Sequence, residues 1–561
     1  MERQRLGIVT AGGFTDGLTV RLDESTSPEA MRIGDFCVLE GDAHLYFSLL
    51  QDLELATTDL GLLSAPPALS DFARRLLRGT ATYVNAEVKP LLSVARLAED
   101  ELAPPQPPQP VRNIPMHFAR LVAATDADFA TVFGRDSGSG SRFAIGRPLT
   151  MEMDIPIDLA KLVERSTGIF GSTGTGKSFL TRLIVCGLIA RDVARNLIFD
   201  MHNEYAFAKE SEEGERVKGL KELFGPQVVV YSLDRTNAQA DHHLTIGMDE
   251  ITTDDLLSLS GELGLSVDTA AVNLSLLRRV YRDNWLAEFL ELGPEALEAL
   301  VADHGGHKGS LEALHRRLHL LVDKEYISRH VSRRVFDDMV SYLERGKHII
   351  LHFGKHETQL DQIVVANMVT RRIRELYRDK VEAYTKAPSR ETKPKPLVIT
   401  VEEAHRFLNP EMARQTIFGT IARELRKYYV TLLIVDQRPS GIDDEILSQV
   451  GTRISGKLLD DRDLQAVLSG LSERQAIRAG LASLDTKQQA MIFGHAIPMP
   501  IALRTRRYDK DFYDAVTKPR TATDDALALQ GGASDAVSPS PRPATPADDF
   551  ESGIDLLFGK K

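Results

Sequence analysis

The chain has 561 residues, of which 43% are hydrophobic and 26% charged, with a net charge of -12. That length exceeds one ordinary core, so about two to four structural units of a soluble globular protein are expected. No apolar run reaches the roughly eighteen residues a membrane span needs, and the acidic balance argues against a surface coated in non-specific nucleic-acid contacts.

A motor with positive charge only along an inner channel stays compatible with these numbers. The start, Met1-Glu2-Arg3-Gln4-Arg5, leads into a strand-like stretch rather than a signal-peptide core. Cys37 and Cys186 lie far apart among apolar residues without metal-type spacing, and they read as buried core thiols. The cytoplasm is the expected compartment.

Residues 1–103 open with short β-type runs broken by glycine, among them Leu18-Thr19-Val20-Arg21-Leu22 and Phe36-Cys37-Val38-Leu39. Strands of this length and spacing predict a small β-barrel. Residues 104–149, with the proline-rich start Pro104-Pro105-Gln106-Pro107-Pro108, read as a linker with connecting strands. From 150 the pattern alternates strand, loop and helix, the mark of a mostly parallel α/β sheet, over 150–249 and again over 346–515. Leucines at helical spacing between 250 and 345 predict a helical insertion. Its basic residues Arg316, Arg317, Arg329, Arg333 and Arg334 suit either DNA contact or a solvated helix face. Residues 516–561 have the composition of a disordered tail. The tail ends in an acidic-hydrophobic motif, Asp549-Phe550 to Leu557-Phe558, which could dock a partner or have no function.

The segment Gly171-Ser172-Thr173-Gly174-Thr175-Gly176-Lys177-Ser178 is a complete phosphate-binding loop between a predicted strand and a predicted amphipathic helix beginning at Phe179. In that setting backbone N–H groups and the helix N-terminus face phosphates. Lys177 would reach the β- and γ-phosphates of ATP, and Ser178 would offer its hydroxyl to Mg²⁺. A second strand, Leu397 to Val401, delivers Glu402 and Glu403. There Glu402 would hold the Mg²⁺ shell and Glu403 would orient and deprotonate the attacking water. Two acids favoured by a helix start are the plainer alternative. A third strand ends at Asp436, so Gln437 is placed as a γ-phosphate sensor, with turn chemistry around Pro439 as its alternative. Asp200 closes a fourth strand and leads into Met201-His202-Asn203-Glu204-Tyr205 at the same sheet edge. His202 and His405 lack a spaced ligand set, and site lining or helix capping suits them better than a structural metal.

These segments, taken in order with Ala422-Arg423-Glu424-Leu425-Arg426-Lys427 and Gln437-Arg438-Pro439-Ser440, resemble the HerA-type ATPases of the HerA/FtsK superfamily up to about residue 510. The resemblance implies a RecA-like core, a homo-hexameric ring with ATP at subunit interfaces, and duplex DNA threaded through its channel. It also implies an arginine supplied by the neighbouring subunit. Arg423 and Arg426, three apart on one predicted helix, and Arg165 before the phosphate-loop strand are the candidates, with surface pairing to Glu424 or Glu164 as the alternative. Leu425, Tyr429 and Asn203 stand where the family commonly has glycine.

Members of the family work with a separate effector. It is typically a NurA-type nuclease docked on the barrel face in DNA-end resection, or a sirtuin-type or nuclease protein in anti-phage assemblies. This chain carries no nuclease motif of its own. The expected function is therefore an ATP-driven DNA translocase. An oligomeric ATPase scaffold regulating an effector with little translocation is the alternative, and a membrane-bound conjugation pump is a third reading that the lack of a span disfavours.

Overall fold

Among the described residues of the computed structural model, seven strands form the N-terminal unit: β1 (Arg5–Gly13), β2 (Gly17–Leu22), β3 (Phe36–Glu40), β4 (His44–Thr57), β5 (Thr82–Ala95), β6 (Gln109–Pro110) and β7 (Arg120–Ala123). Residues 3–518 are described, except 60, 65–76, 79, 97–105, 150, 211–213, 262, 330, 332–333, 357, 390, 416 and 472–473. The expected disordered tail with its terminal motif therefore lies, from 519 onward, outside the described residues.

The strand order β2-β1-β7-β3-β4-β5 closes on itself through an antiparallel β2–β5 pairing, and β6 adds to β5. Alternate residues point inward, so Val9, Leu18, Val20, Cys37, Leu39, Leu50, Val88 and Leu121 fill the interior. Closure requires β7, which lies inside the stretch read from sequence as a linker; the barrel thus runs to Ala123 rather than ending at 103. Prolines marked that stretch as a spacer, but the four residues Arg120–Ala123 supply the missing wall.

The second sheet has twelve strands. In chain order they are β8 (Arg142–Pro148), β9 (Ile155–Asp158), β10 (Ser166–Phe170), β11 (Arg195–Asp200), then, after the hairpin β12 (Lys209–Glu210) and β13 (Arg216–Val217), β14 (Val228–Ser232) and β15 (His242–His243). The two-stranded pair β16 (Ile246–Gly247) and β17 (Ile327–Ser328) brackets most of the insertion. Strands β18 (His348–His352), β19 (Leu397–Glu402), β20 (Val430–Asp436), β21 (Val450–Ser455), β22 (Gln489–Gly494) and β23 (Ile501–Thr505) complete the sheet. The order is β15-β14-β18-β11-β19-β20-β10-β21-β22-β23-β8-β9. Pairing is parallel from β15 to β21 and antiparallel from β21 to β9. Strands such as Val228–Ser232, Leu397–Glu402 and Val430–Asp436 are buried at every residue, as strands covered on both faces must be. Strand β8 belongs to this sheet although it precedes residue 150, so the core begins before its predicted boundary.

Among the described residues six α-helices, from Thr253–Ser258 to Val335–Glu344, form the insertion, and its leucines join the main core. In its basic cluster Arg329 pairs with Glu291, and Arg334 lies 3.6 Å from Asp249. Arg333 lies outside the described residues. Both cysteines are buried free thiols; burial pushes Cys186 up to about 12. Among the described residues no helix is long and apolar enough to cross a membrane.

Candidate nucleotide-binding site

Parallel pairing sets Phe170 beside Asp436 and Glu402 beside Val435, so the ends of β10, β20 and β19 meet at one edge. The loop after β10 turns through Gly171, Gly174 and Gly176, all at positive φ, and enters the helix Lys177–Ala190. A Cβ on Gly171 would stand 2.5 Å from Thr175 Oγ1, which itself donates to the Ser172 carbonyl at 2.8 Å. The loop is also tied to the chain after β21: Gly456 N–H donates to Phe170 O and Ser172 N–H to Lys457 O.

Lys177 Nζ donates to the Gly171 and Ser172 carbonyls at 2.8 and 3.0 Å. Burial pulls its pKa below the ordinary lysine range, opposed by Glu403, Asp436, Glu204 and Glu402. Ser178 is half-buried at the helix start, and Phe179 beside it is exposed.

Glu402 is the last residue of β19 and is 5% exposed. Its Oε1 accepts the Tyr205 hydroxyl at 2.7 Å, while the buried Oε2 has no hydrogen-bond partner. Burial holds its carboxyl well above the usual range, and Asp200 and Glu204 add to the effect. Glu403 follows at φ 45°, a left-handed conformation costly for a non-glycine residue, and the next helix starts only at His405. Neither acid therefore sits at a helix start. Glu403 Oε2 accepts from Gln437 Nε2 at 3.1 Å, and Gln437 Oε1 accepts from Thr173 Oγ1 at 2.8 Å. One amide thus bridges the carboxylate and the phosphate loop.

Asp436 is fully buried and accepts N–H bonds from His405 and Arg438, each at 2.6 Å. His405 Nδ1 lies 3.1 Å from both Asp436 oxygens and 3.6 Å from Glu403 Oε2. The Asp436 bond raises the pKa of His405. Glu403, His405 and Asp436 thus bring ligand atoms within 4.8 Å of one another, although their spacing in the sequence is unlike that of a metal site. Asp200 folds the following segment back by accepting N–H groups of Glu204, Tyr205 and Ala206 at 2.6, 3.0 and 3.0 Å. This turn is what carries Tyr205 to Glu402, a link the sequence did not disclose.

Neither Arg165 nor Arg423 joins these residues. Arg165 is exposed at the entry end of β10, the opposite edge of the sheet from the phosphate loop, and packs against Gly451. Its neighbour Glu164 pairs with His495 instead. Arg423 lies in the helix Ile417–Glu424 and pairs with Glu445 at 3.0 Å; the Glu424 side chain lies outside the described residues. That helix ends at Glu424, so Arg426 falls in a 3-10 turn, Leu425–Tyr428, and does not share one α-helical face with Arg423. The Arg426 side chain lies outside the described residues.

Residues 143–373 match the family model for the central domain of helicase HerA. The chain is 27% identical over 452 residues to the DNA double-strand break repair helicase HerA of Sulfurisphaera tokodaii, covering 76% of this chain and 79% of that protein. It is 23% identical over 526 residues to the protein of the same name from Sulfolobus acidocaldarius, covering 89% and 94%. Among solved structures, VirB4 of Thermoanaerobacter pseudethanolicus is similar with 14% identity and a TM-score of 0.44, over 66% of this chain and 97% of that one. With alignments running over most of both chains and an intact phosphate loop at the edge of a mostly parallel sheet, the chain is similar to the HerA helicases and is an ATP-hydrolysing P-loop protein.

Proposed function

We propose that this ATPase forms a homo-hexameric ring that moves along double-stranded DNA and works with a separate nuclease or other effector. The observation that carries the proposal is the Thr173–Gln437–Glu403 chain, which ties a phosphate-binding loop to a carboxylate able to activate water. In this reading Gly171 to Phe179 hold the phosphates through backbone N–H groups, and Lys177 neutralises charge on the β- and γ-phosphates. Glu403 orients the attacking water and takes its proton, while Gln437 senses whether the γ-phosphate is present.

The residues fit a divalent cation. Glu402 keeps a buried oxygen without a partner, and Ser178 offers a hydroxyl at the helix start. When bound, Mg²⁺ supplies positive charge to the triphosphate. The chain's own contribution is to hold the Glu402 carboxylate by the Tyr205 hydroxyl.

The relatives named DNA double-strand break repair helicases support duplex DNA as the track. The position of Arg165, on the edge away from its own phosphate loop, supports completion of the site by a neighbour in a ring. The barrel face is assigned to effector docking, with a NurA-type nuclease or a sirtuin-type protein as the partner, in end processing or anti-phage defence.

The test is ATP hydrolysis by the assembled protein with and without duplex DNA. Stimulation by DNA and its loss in Lys177→Ala are expected. An assembled protein that binds no duplex DNA, alone or with its effector, overturns the proposal.

A further inference from the structure

A triphosphate bound as proposed has a polarity. The γ-end is marked by Glu403 and Gln437, so ribose and base must leave from the other end, over the first turn of the helix Lys177–Ala190. An aromatic side chain waits there. Phe179, one residue after Ser178, is 40% exposed, whereas the helix residues that follow it, from Leu180 to Ile189, are buried.

Its position is fixed by a charged group of an unusual kind. Arg182, one turn on, is only 5% exposed, and its guanidinium carbon stands 5.4 Å from the Phe179 ring centroid and 5.7 Å from that of Tyr508. Arg182 Nη2 donates to the Glu204 carbonyl, and its buried Nε has no hydrogen-bond partner. Tyr508, whose ring centroid lies 6.3 Å from that of Phe179, is held in turn by donating to the Lys218 carbonyl at 3.1 Å. A solitary exposed phenylalanine needs no explanation. One braced by a buried arginine and a fixed tyrosine beside a phosphate loop is a built surface, and cation–π attraction favours that bracing.

We propose that Phe179, braced by Arg182 and Tyr508, is a stacking platform for the purine base of the nucleotide. This rests on the reading of Gly171 to Ser178 as the ATP site. It adds that part of the affinity comes from the base and not from the phosphates. The same brace reaches the far side of the site: Arg182 holds the Glu204 carbonyl, and the next residue, Tyr205, holds Glu402.

The experiment compares ATP with inorganic tripolyphosphate, which has phosphates and no base, as competing ligands of the full-length assembled protein. Phe179→Ala is expected to weaken ATP binding about tenfold, as loss of a base–aromatic stack does, and to leave tripolyphosphate competition unchanged. Phe179→Trp, which restores a ring face, is expected to recover ATP affinity. Equal loss for both ligands, or none for ATP, overturns the platform. If the unsubstituted protein binds neither ligand, the nucleotide site itself fails, and the platform with it.

Discussion

Tyr205 and Glu402, 197 positions apart in the chain, meet at 2.7 Å through a hydrogen bond from the phenol to Oε1. They can do so because β11 and β19 are neighbours and Asp200, at the end of β11, folds its own exit segment back across the strand tip. The consequence is a carboxylate held in one orientation in a buried setting, with its second oxygen unsatisfied. Such an arrangement trades stability for a ready binding oxygen.

That trade has a sign. The folded-state pKa of Glu402 lies well above the ordinary glutamate value, because burial and neighbouring acids disfavour the charge. Between the unfolded and the folded pKa the native state holds more protons than the unfolded state, so this group's contribution to stability falls as pH rises through that window. Glu402→Gln removes the penalty. We expect its melting temperature without nucleotide to exceed that of the parent by about 2 °C or more at neutral pH, with the gain shrinking as pH falls toward about 5. The same variant should lose hydrolysis. Thermal unfolding across pH checks the first statement, and a gain constant with pH would contradict it.

The Gln437 bridge makes a kinetic prediction. If Gln437 keeps Glu403 aligned with the loop, Gln437→Ala should lower kcat by about 10- to 100-fold, the cost typical of a misplaced catalytic group. Thr173→Val should have a smaller effect in the same direction. Because both act through one chain of bonds, their effects should be non-additive, with a coupling of about 1 kcal/mol in a double-mutant cycle. Steady-state ATPase rates at saturating ATP decide it; additive effects would show the bridge to be incidental.

Two of the departures from the family's glycines now have a physical meaning. Tyr429 and Asn203 both sit in the left-handed region, at φ 61° and 56°. Glycine takes that conformation freely, whereas a bulky residue loses about 1–2 kcal/mol there. Asn203 gains something in return: its amide exchanges two hydrogen bonds with the Gly354 backbone, at 3.0 and 3.2 Å. Tyr429→Gly should therefore stabilise the protein by about 1 kcal/mol, and Asn203→Gly should destabilise it. Denaturant unfolding of the two variants checks the opposite signs.

The contrast between these two positions shows what was legible beforehand. The phosphate loop and the strand ending in Glu402-Glu403 could be read because strand, loop and helix are contiguous in the chain, so local spacing carries the chemistry. The family glycines could be noticed, but not their φ values. Nor could the Tyr205–Glu402 bond or the Thr173–Gln437 contact be read, since each depends on strand order, which no local pattern encodes. The barrel limit was missed for a related reason. The wall strand β7 is only four residues long and follows a proline-rich stretch, so its pairing with β1 and β3 is visible only in three dimensions. The helix bearing Arg423 was predicted to continue through Arg426, and the tighter turn Leu425–Tyr428, leading to Tyr429 at positive φ, ends it early.

Arg165 offers the sharpest test of a shared site. It precedes β10 and the phosphate loop follows it, so five strand residues separate them. At about 3.3 Å per residue that is roughly 17 Å, farther than an arginine side chain reaches to a γ-phosphate in its own subunit. Its guanidinium can complete a site only in a neighbour. Arg165→Ala and Lys177→Ala should each abolish hydrolysis alone. Mixed rings, however, contain interfaces with an intact loop from one variant and an intact arginine from the other, and these should regain activity. Co-assembly of the two variants over a range of ratios, followed by ATPase measurement, reads this out. If the mixtures show no recovery while co-assembly is verified, Arg165 is not the residue supplied in trans, and Arg423, displaced from Glu445, takes its place as the candidate.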